Sequence, residues 1–496
     1  MAGDMKLRER PAAAVSAYSP ISWVLIGFWV FVTVRLMLLS PEMLGDPDTF
    51  LHVGIGNWIL AQGHVPLTDP FSYPMAGQPW VAHEWLAGVL MSLVYGWAGW
   101  YGICVLAILA CGLTLVILAR FLMDRLPPVY ALLLTVLAYS GLESHLLARP
   151  HVLAWPLLAL WVTVLLNRSE QGRGPAFWLL PLLVVWANLH GSFTLGLALL
   201  PSFAMEAWSN RSDRRIRGLL AWAAFIVLAA GCAVVTPYGW AGVAFTGQLV
   251  SIKALASVTE WQPLTVTGHP LVLIWFGLLL LLGLRGWLRL PWVRLLLILG
   301  LGWQMLLHAR FYSIFALLVP MLVALPLAVS QRAWPVASAP ESVPDRWFRW
   351  LSGPSRSWAV GAVALAMVLP VLLFRQAALE PGAKHAPRAA LEFLKGTGLL
   401  ERGLNYYNYG GFLVWSGVPV FMDGRIDLRG DAGMQAYDDA LARAESKGLA
   451  ELLEQYAVAW TLFPAKDLGA LHMDRQEGWC RSFVDDTSVV HMRCKK

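Results

Sequence analysis

Apolar runs close to the length of a membrane-crossing helix recur from Ile21 almost to Phe374, with short polar breaks between them. Crossing roughly 30 Å of hydrocarbon takes about 20 mostly apolar residues in a helix. The pattern predicts spans over 21–39, 86–122, 127–142, 150–167, 177–190, 191–208, 218–236, 270–284, 295–308, 311–328 and 357–375. The stretch 86–122 is too long for one straight helix. It reads as one or two passes, or as a helix broken or re-entrant at Trp97–Trp100. Within the long break after the first span, Phe50–Leu60 reads as an amphipathic segment on the membrane surface, with Leu51, Ile55, Trp58 and Ile59 mostly on one side.

After Arg375 the apolar runs shorten and charges become frequent. Leu404–Tyr407, Val418–Met422, Ala457–Phe463, Cys480–Val484 and Ser488–Arg493 read as strands, the last two forming a hairpin. Ala432–Lys447 and Leu449–Tyr456 read as helices, with Asp431 as an N-cap. The expected fold is an α-helical polytopic membrane protein of about 11–13 transmembrane helices, carrying a small C-terminal α/β domain. Its parts are an N-terminal tail (1–20), a transmembrane domain (21–375) whose first loop is 40–85, and the α/β domain (376–496).

Composition agrees: 58% of residues are hydrophobic and 14% charged, against about a quarter charged in soluble domains. The first apolar run lacks a clear small-residue cleavage site and reads as a retained span. Lys and Arg concentrate in Lys6–Arg10, Arg120–Arg125, Arg168–Arg173, Arg211–Arg217, Arg285–Arg294 and Arg332–Arg356. By the positive-inside rule these clusters and the N-terminus are cytoplasmic. Pro41–Trp85 has no Lys or Arg and is outside, and the C-terminal domain is expected there too. Localisation is therefore expected in the inner (cytoplasmic) membrane, with the C-terminal domain periplasmic. Short membrane-flanking clusters form no continuous basic stripe, which excludes a nucleic-acid-binding reading of the net charge of +6.

Acidic side chains held at a membrane surface are costly unless they bind something. The first loop carries Asp46 and Asp48, then His83 and Glu84. Pro47 favours an extended backbone at Asp46, so one aspartate can face a substrate while the other caps the following helix. An aspartate before a helix is also an ordinary cap. Other polar residues fall at the same predicted ends of spans: Glu143, His145, Arg149 and His151 as one group, then Asn188 and His190, Glu260, and His308 with Arg310. Singly, each reads equally as a snorkelling or capping residue. Together they predict a polar cavity open to the outside, with acids to act as a base and cations to hold an anion. Trp261, Trp415 and Trp479 are candidate sugar-stacking surfaces, although an interfacial belt accounts for most tryptophans. Asp423-Gly424-Arg425-Ile426-Asp427 reads as a tight turn after a strand or as a surface that docks on the membrane domain. Cys104, Cys111 and Cys232 lie in spans. Cys480 and Cys494 lie at the two ends of the hairpin and can pair if the domain is outside.

Several of these runs resemble bacterial GT-C-type glycosyltransferases: G-D-P-D-T-F-L-H-V-G at 45–54, D-P-F-S-Y at 69–73, P-W-V-A-H-E-W-L at 79–86, R-P-H at 149–151, W-A-N-L-H-G at 186–191 and T-P-Y-G at 236–239. N-Y-G-G-F-L-V-W at 408–415 and F-M-D-G-R-I-D at 421–427 resemble the soluble domain of the same group, so the resemblance covers nearly the whole chain. It implies a GT-C-like transmembrane domain and a polyprenyl-phosphate-linked sugar as donor, with an acceptor glycan, lipid or protein and surrounding membrane lipid as the other partners. It also implies an acidic residue of the first loop, Asp48 or Asp46, as general base, normally with inversion. Arg149 and Arg310 would hold the leaving phosphate, with His151, His190 or His308 in support. Some relatives bind a divalent cation through loop acids, and Asp46, Asp48 and Glu84 offer the hard oxygen ligands that Mg2+ or Mn2+ requires. Two other classes compete: a transporter or flippase for a lipid-linked sugar, and a non-catalytic subunit of a cell-envelope glycan assembly system.

Overall fold

The computed structural model describes residues 20–39, 41–210, 216–330, 343, 379–442 and 447–494. The expected span at 357–375 and the basic tail before Pro20 lie outside the described residues.

The membrane domain is built of helices: α1 (Pro20–Met37), α2 (Pro47–Gln62), α3 (Trp85–Met123), α4 (Pro128–Glu143), α5 (Pro150–Glu170), α6 (Leu180–Leu189), α7 (Phe193–Asn210), α8 (Ile216–Ala233), α9 (Trp240–Ser251), α10 (Val272–Leu284), α11 (Trp292–Leu307) and α12 (Tyr312–Ala328). Among the described residues, four helices are long and apolar enough to cross a membrane, and four shorter apolar helices pack with them. The chain is a polytopic helical membrane protein with a small C-terminal α/β domain. Prolines at the first helical positions of α2, α4 and α5 fix the entry angle where an N–H would be unpaired anyway. The long run at 86–122 is one helix bent at Gly99, whose φ of 60° and ψ of −155° break the helical path. Only glycine takes that conformation without strain. Helix α9 falls in what the pattern read as a loop, because only 12 residues separate two breaks there.

One correction concerns α2. The amphipathic surface helix expected at Phe50–Leu60 is buried on nearly every side, from Thr49 through Gly56 and again at Ile59. It lies between α3 and the C-terminal domain. Phe50 packs edge-on against Trp100 beside the α3 bend (4.8 Å) and against Phe412 of the C-terminal domain (5.4 Å). The glycines that weakened its amphipathic pattern are the places where other chains approach: a Cβ on Gly54 would lie 3.0 Å from the backbone of Trp415.

The C-terminal domain contains α13 (Arg388–Thr397), α14 (Gly410–Trp415), α15 (Ile426–Ala442), α16 (Lys447–Gln455) and α17 (Leu468–Met473) around a four-stranded sheet. The strands β1 (Gly403–Asn405), β2 (Trp460–Pro464), β3 (Trp479–Val484) and β4 (Ser488–Arg493) run in the order β1-β2-β4-β3. β1 pairs parallel to β2, and the other two pairings are antiparallel. Val418–Met422 forms no strand of this sheet. Its Val420 pairs instead with the first loop, the Val420 N–H donating to the Phe71 carbonyl (3.0 Å) and the Tyr73 N–H to that of Val420 (3.2 Å). Asp431 follows a break in α15 at Gly430, and its carboxylate accepts from the Ala254 N–H at 2.8 Å. It thus ties the domain to the turn after α9 where a helix cap was expected. Cys480 and Cys494 form a disulfide across the hairpin, with Cα atoms 5.1 Å apart.

Two buried ionic groups hold these parts. Arg425 donates to Asp423 through Nε (2.9 Å) and Nη2 (2.6 Å), and to Asp69 of the first loop through Nη1 (2.6 Å). All three side chains are nearly inaccessible, and the guanidinium lies 4.6 Å from the centre of the Trp80 ring. The second group joins α5, α7, α11 and α12. Arg294, 1% exposed, donates to Glu206 (2.6 Å), to Glu170 (2.9 Å) and to the Leu322 carbonyl (3.0 Å). Glu170 is also paired with Arg125.

Candidate active site

Asp46 adopts an extended conformation before α2 and accepts the Asp48 N–H at 2.8 Å, so it is the helix cap. Its other oxygen lies 3.1 Å from Arg149. Asp48, in the first turn of α2, is 2.7 Å from the other arm of the same guanidinium. Arg149 stands just before α5 in an extended conformation, as the following Pro150 favours, and so projects across the helix entrance. It also reaches Glu260 at 3.1 Å. One cation is therefore shared by three carboxylates from two separate loops. Glu260 sits in the short 3-10 turn Thr259–Trp261. Arg310 approaches its free oxygen at 3.7 Å and lies 4.3 Å over the Trp261 ring.

The charge balance leaves Asp48 the hardest carboxyl to ionise. Burial pushes its pKa up to about 7; Arg149 opposes this, while Asp46, Glu260 and Glu84 reinforce it. Burial also works against the Glu260 carboxylate, but Arg149 and Arg310 more than compensate and hold it down at about 2. Two neighbouring acids are thus driven apart, one permanently charged and the other able to exchange a proton near neutrality.

Glu84, immediately before α3, is ringed by three imidazoles: His190 at 3.3 Å, His52 at 3.4 Å and His83 at 3.6 Å. Burial opposes its charge, but His83, His190 and His52 together keep its carboxyl well below the usual range. Burial drives His52 and His190 down to about 4, so both are neutral at physiological pH. For His83 burial acts in the same direction, but Glu84 outweighs it and the pKa rises. His190 Nδ1 accepts the Ser192 N–H at 3.0 Å, which leaves the proton on Nε2, facing Glu84.

A cavity of about 630 Å³, counted with its open mouth, is lined by Glu84, His145, Arg149, His151, His190, Ser192, Glu260 and Arg310. Asp46 and Asp48 lie behind Arg149 from this side. The Asp48 side chain keeps 23% of its surface accessible. Two predicted residues brace the site from outside the cavity wall. Asn188 accepts from Trp85 Nε1 (2.9 Å) and donates to the carbonyls of Val184 (2.8 Å) and Val235 (2.9 Å). His308 donates through Nδ1 to the Trp261 carbonyl at 2.8 Å and so fixes the Glu260 turn. His151 donates through Nε2 to the His145 carbonyl at 2.9 Å. Trp415 is packed in the aromatic group around Phe50 and Trp100, and Trp479 lies under Arg493.

Sequence reasoning missed His52 and Ser192, while His145, grouped with Arg149 and His151 from the sequence, does line the cavity. His52 was within reach: it lies four residues after Asp48, one turn along the same helix face. Among the described residues no group of three or more His, Cys, Asp or Glu side chains is arranged to hold a metal ion. The proposed ligands Asp46 and Asp48 converge on a guanidinium, while Glu84 faces imidazoles. The oxygens do not fit an Mg2+ or Mn2+ cage, so no step of the chemistry is routed through a metal.

No protein-family model matches the sequence, and no curated protein does. Among solved structures, the crystal structure of ArnT from Cupriavidus metallidurans bound to undecaprenyl phosphate aligns with 95% of this chain and 97% of that chain, at 12% identity and a TM-score of 0.48. That likeness is loose, and the chemistry that follows is derived from this chain's own side chains.

Proposed function

We propose that the protein is a membrane glycosyltransferase that moves a sugar from a polyprenyl-phosphate donor to an acceptor hydroxyl on the non-cytoplasmic face, with Asp48 as general base. The observation that carries this reading is a single guanidinium, Arg149, shared by Asp46, Asp48 and Glu260 at the wall of a cavity that Arg310 and Glu84 also line. The donor phosphate enters the membrane-side cavity, where Arg149 and Arg310 supply positive charge. The acceptor approaches Asp48 from the side of the C-terminal domain.

Asp48 takes the hydroxyl proton as the acceptor oxygen forms its bond to the anomeric carbon. The bond from that carbon to the phosphate oxygen breaks, and the electron pair leaves with the polyprenyl phosphate. Attack from the face opposite the leaving group inverts the anomeric centre. Arg149 releases part of its hold on Asp48 as that group becomes neutral and is then free to meet the extra phosphate charge. A base so placed contributes typically about 10²–10⁴-fold in rate. Donors preorganised at the leaving oxygen add to that.

The reading is tested by extracting the lipid that co-purifies with wild type and Asp48→Asn and weighing it by mass spectrometry. A polyprenyl-phosphate sugar, enriched in the variant, is expected. Bulk phospholipid alone in both samples would remove the donor assignment and favour the assembly-subunit reading.

A further inference from the structure

Gly424 meets the Asp48 carboxyl so closely that a Cβ added there would overlap Oδ1 and lie 3.1 Å from the carboxyl carbon. The neighbours of Gly424, Asp423 and Arg425, belong to the buried triad with Asp69, so the turn cannot shift without breaking that ion pairing. Asp69 is itself fixed, accepting the N–H groups of Phe71 (3.0 Å) and Ser72 (3.1 Å). A second close approach lies nearby: a Cβ on Gly411 would overlap the Pro47 carbonyl, next to Asp48. The Tyr407 phenol is held protonated by burial and by the neighbouring charges of Asp48 and Asp423. Three features of the C-terminal domain thus converge on the first turn of α2. Arg149 holds Asp48 Oδ2 (2.7 Å), and Gly424 faces Oδ1.

We propose that the C-terminal domain forms one wall of the active site, and that Gly424, latched by the Asp69–Arg425–Asp423 triad, is a positioning residue that sets where the Asp48 carboxylate stands. The proposal rests on Asp48 being the reacting base. The arrangement explains why a residue without a side chain stands between two buried charges: any larger residue would push the carboxylate toward Arg149 or lift the turn.

The first test needs no substrate. Cysteines at positions 48 and 424 fall within disulfide reach, which requires a Cβ separation of about 3.5–4.5 Å. In the full-length Asp48→Cys/Gly424→Cys protein, mild oxidation in native membranes should join the two peptides in most molecules. Two thiols that alkylate freely and never join would overturn the wall. The second test is Gly424→Ala, which keeps all three side chains of the triad. Release of polyprenyl phosphate should fall about 100-fold, the scale of a 1 Å misplacement at a reacting centre, while the glycosylated lipid stays bound at the wild-type ratio. Unchanged turnover, or loss of bound lipid together with turnover, would refute the positioning role. A cross-link in a protein from which no glycosylated lipid can be extracted would retain the wall and reject the donor reading.

Discussion

Helix α5 has an ionic cluster at each end, and the two clusters are built on opposite principles. With 21 residues rising 1.5 Å each, their separation is about 30 Å. At the Glu170 end, each guanidinium nitrogen of Arg294 donates to one of two glutamates or a carbonyl, and Arg125 completes the set. Two cations and two carboxylates balance there, Glu170 lying between Arg125 and Arg294. At the Arg149 end, one guanidinium is divided among Asp46, Asp48 and Glu260, and the carboxylates outnumber the cations in direct contact with them. A saturated buried network fixes geometry. An under-compensated one beside a cavity leaves a proton to exchange and a cation to share with an incoming anion.

Substitution at each end should separate the two roles. Arg149→Met removes the shared cation and leaves three carboxylates facing one another. Turnover should fall about 30- to 5,000-fold, the equivalent of about 2–5 kcal/mol for a truncated buried charge pair, and thermal stability in detergent should fall too. Glu206→Gln, at the other end, should cost about 3–5 kcal/mol of stability, read as a lower unfolding temperature, while the folded fraction keeps wild-type turnover. Equal losses of activity in the two variants would erase the distinction.

The C-terminal hairpin offers a milder check that scaffold and site are separable. Cys480 and Cys494 close a loop with a sequence separation of 14, and a disulfide over such a loop contributes about 3 kcal/mol. Replacing both with serine should lower the stability of the domain by up to that amount and leave turnover at 25 °C unchanged. The smallest effect sharpens the picture most. A base works only when unprotonated, so kcat should rise tenfold per pH unit below about 7 and level off above it. Glu260, already ionised above about 2, should contribute no limb in the neutral range. An acid limb near 4 would mean that the burial of Asp48, and the repulsion from Asp46, Glu260 and Glu84, do not act on the group that limits the rate.

Much of this was legible in the chain. Hydrophobic runs located the membrane helices because a bilayer demands length and apolarity from each one separately, and Gly99 within Trp97–Trp100 marked the bend. The polar residues at the ends of spans were also visible, and Asp46, Asp48, Glu84, Arg149, Glu260 and Arg310 do meet. What the sequence concealed was contact between distant segments. Nothing in the alternation around Phe50–Leu60 reveals that its exposed side is covered by Gly411 and Phe412, roughly 360 residues later. Asp69 and Arg425 are separated by 356 residues, so neither local spacing nor propensity could pair them. Val418–Met422 had the composition of a strand but found its partner in the first loop and not in the sheet. Asn188 and His308 looked like ligands because a polar side chain among apolar neighbours carries the same signal whether it binds substrate or braces a carbonyl.

The central claim is that Asp48 removes the acceptor proton. It is tested most directly by incubating purified wild type and Asp48→Asn with cell-envelope extract and measuring the ratio of free polyprenyl phosphate to its glycosylated form. Asp48→Asn should form free polyprenyl phosphate at least 100-fold more slowly than wild type, the lower end of what a general base contributes, with the same unfolding temperature or a higher one. A variant that releases it at the wild-type rate would contradict the assignment of Asp48 as the base.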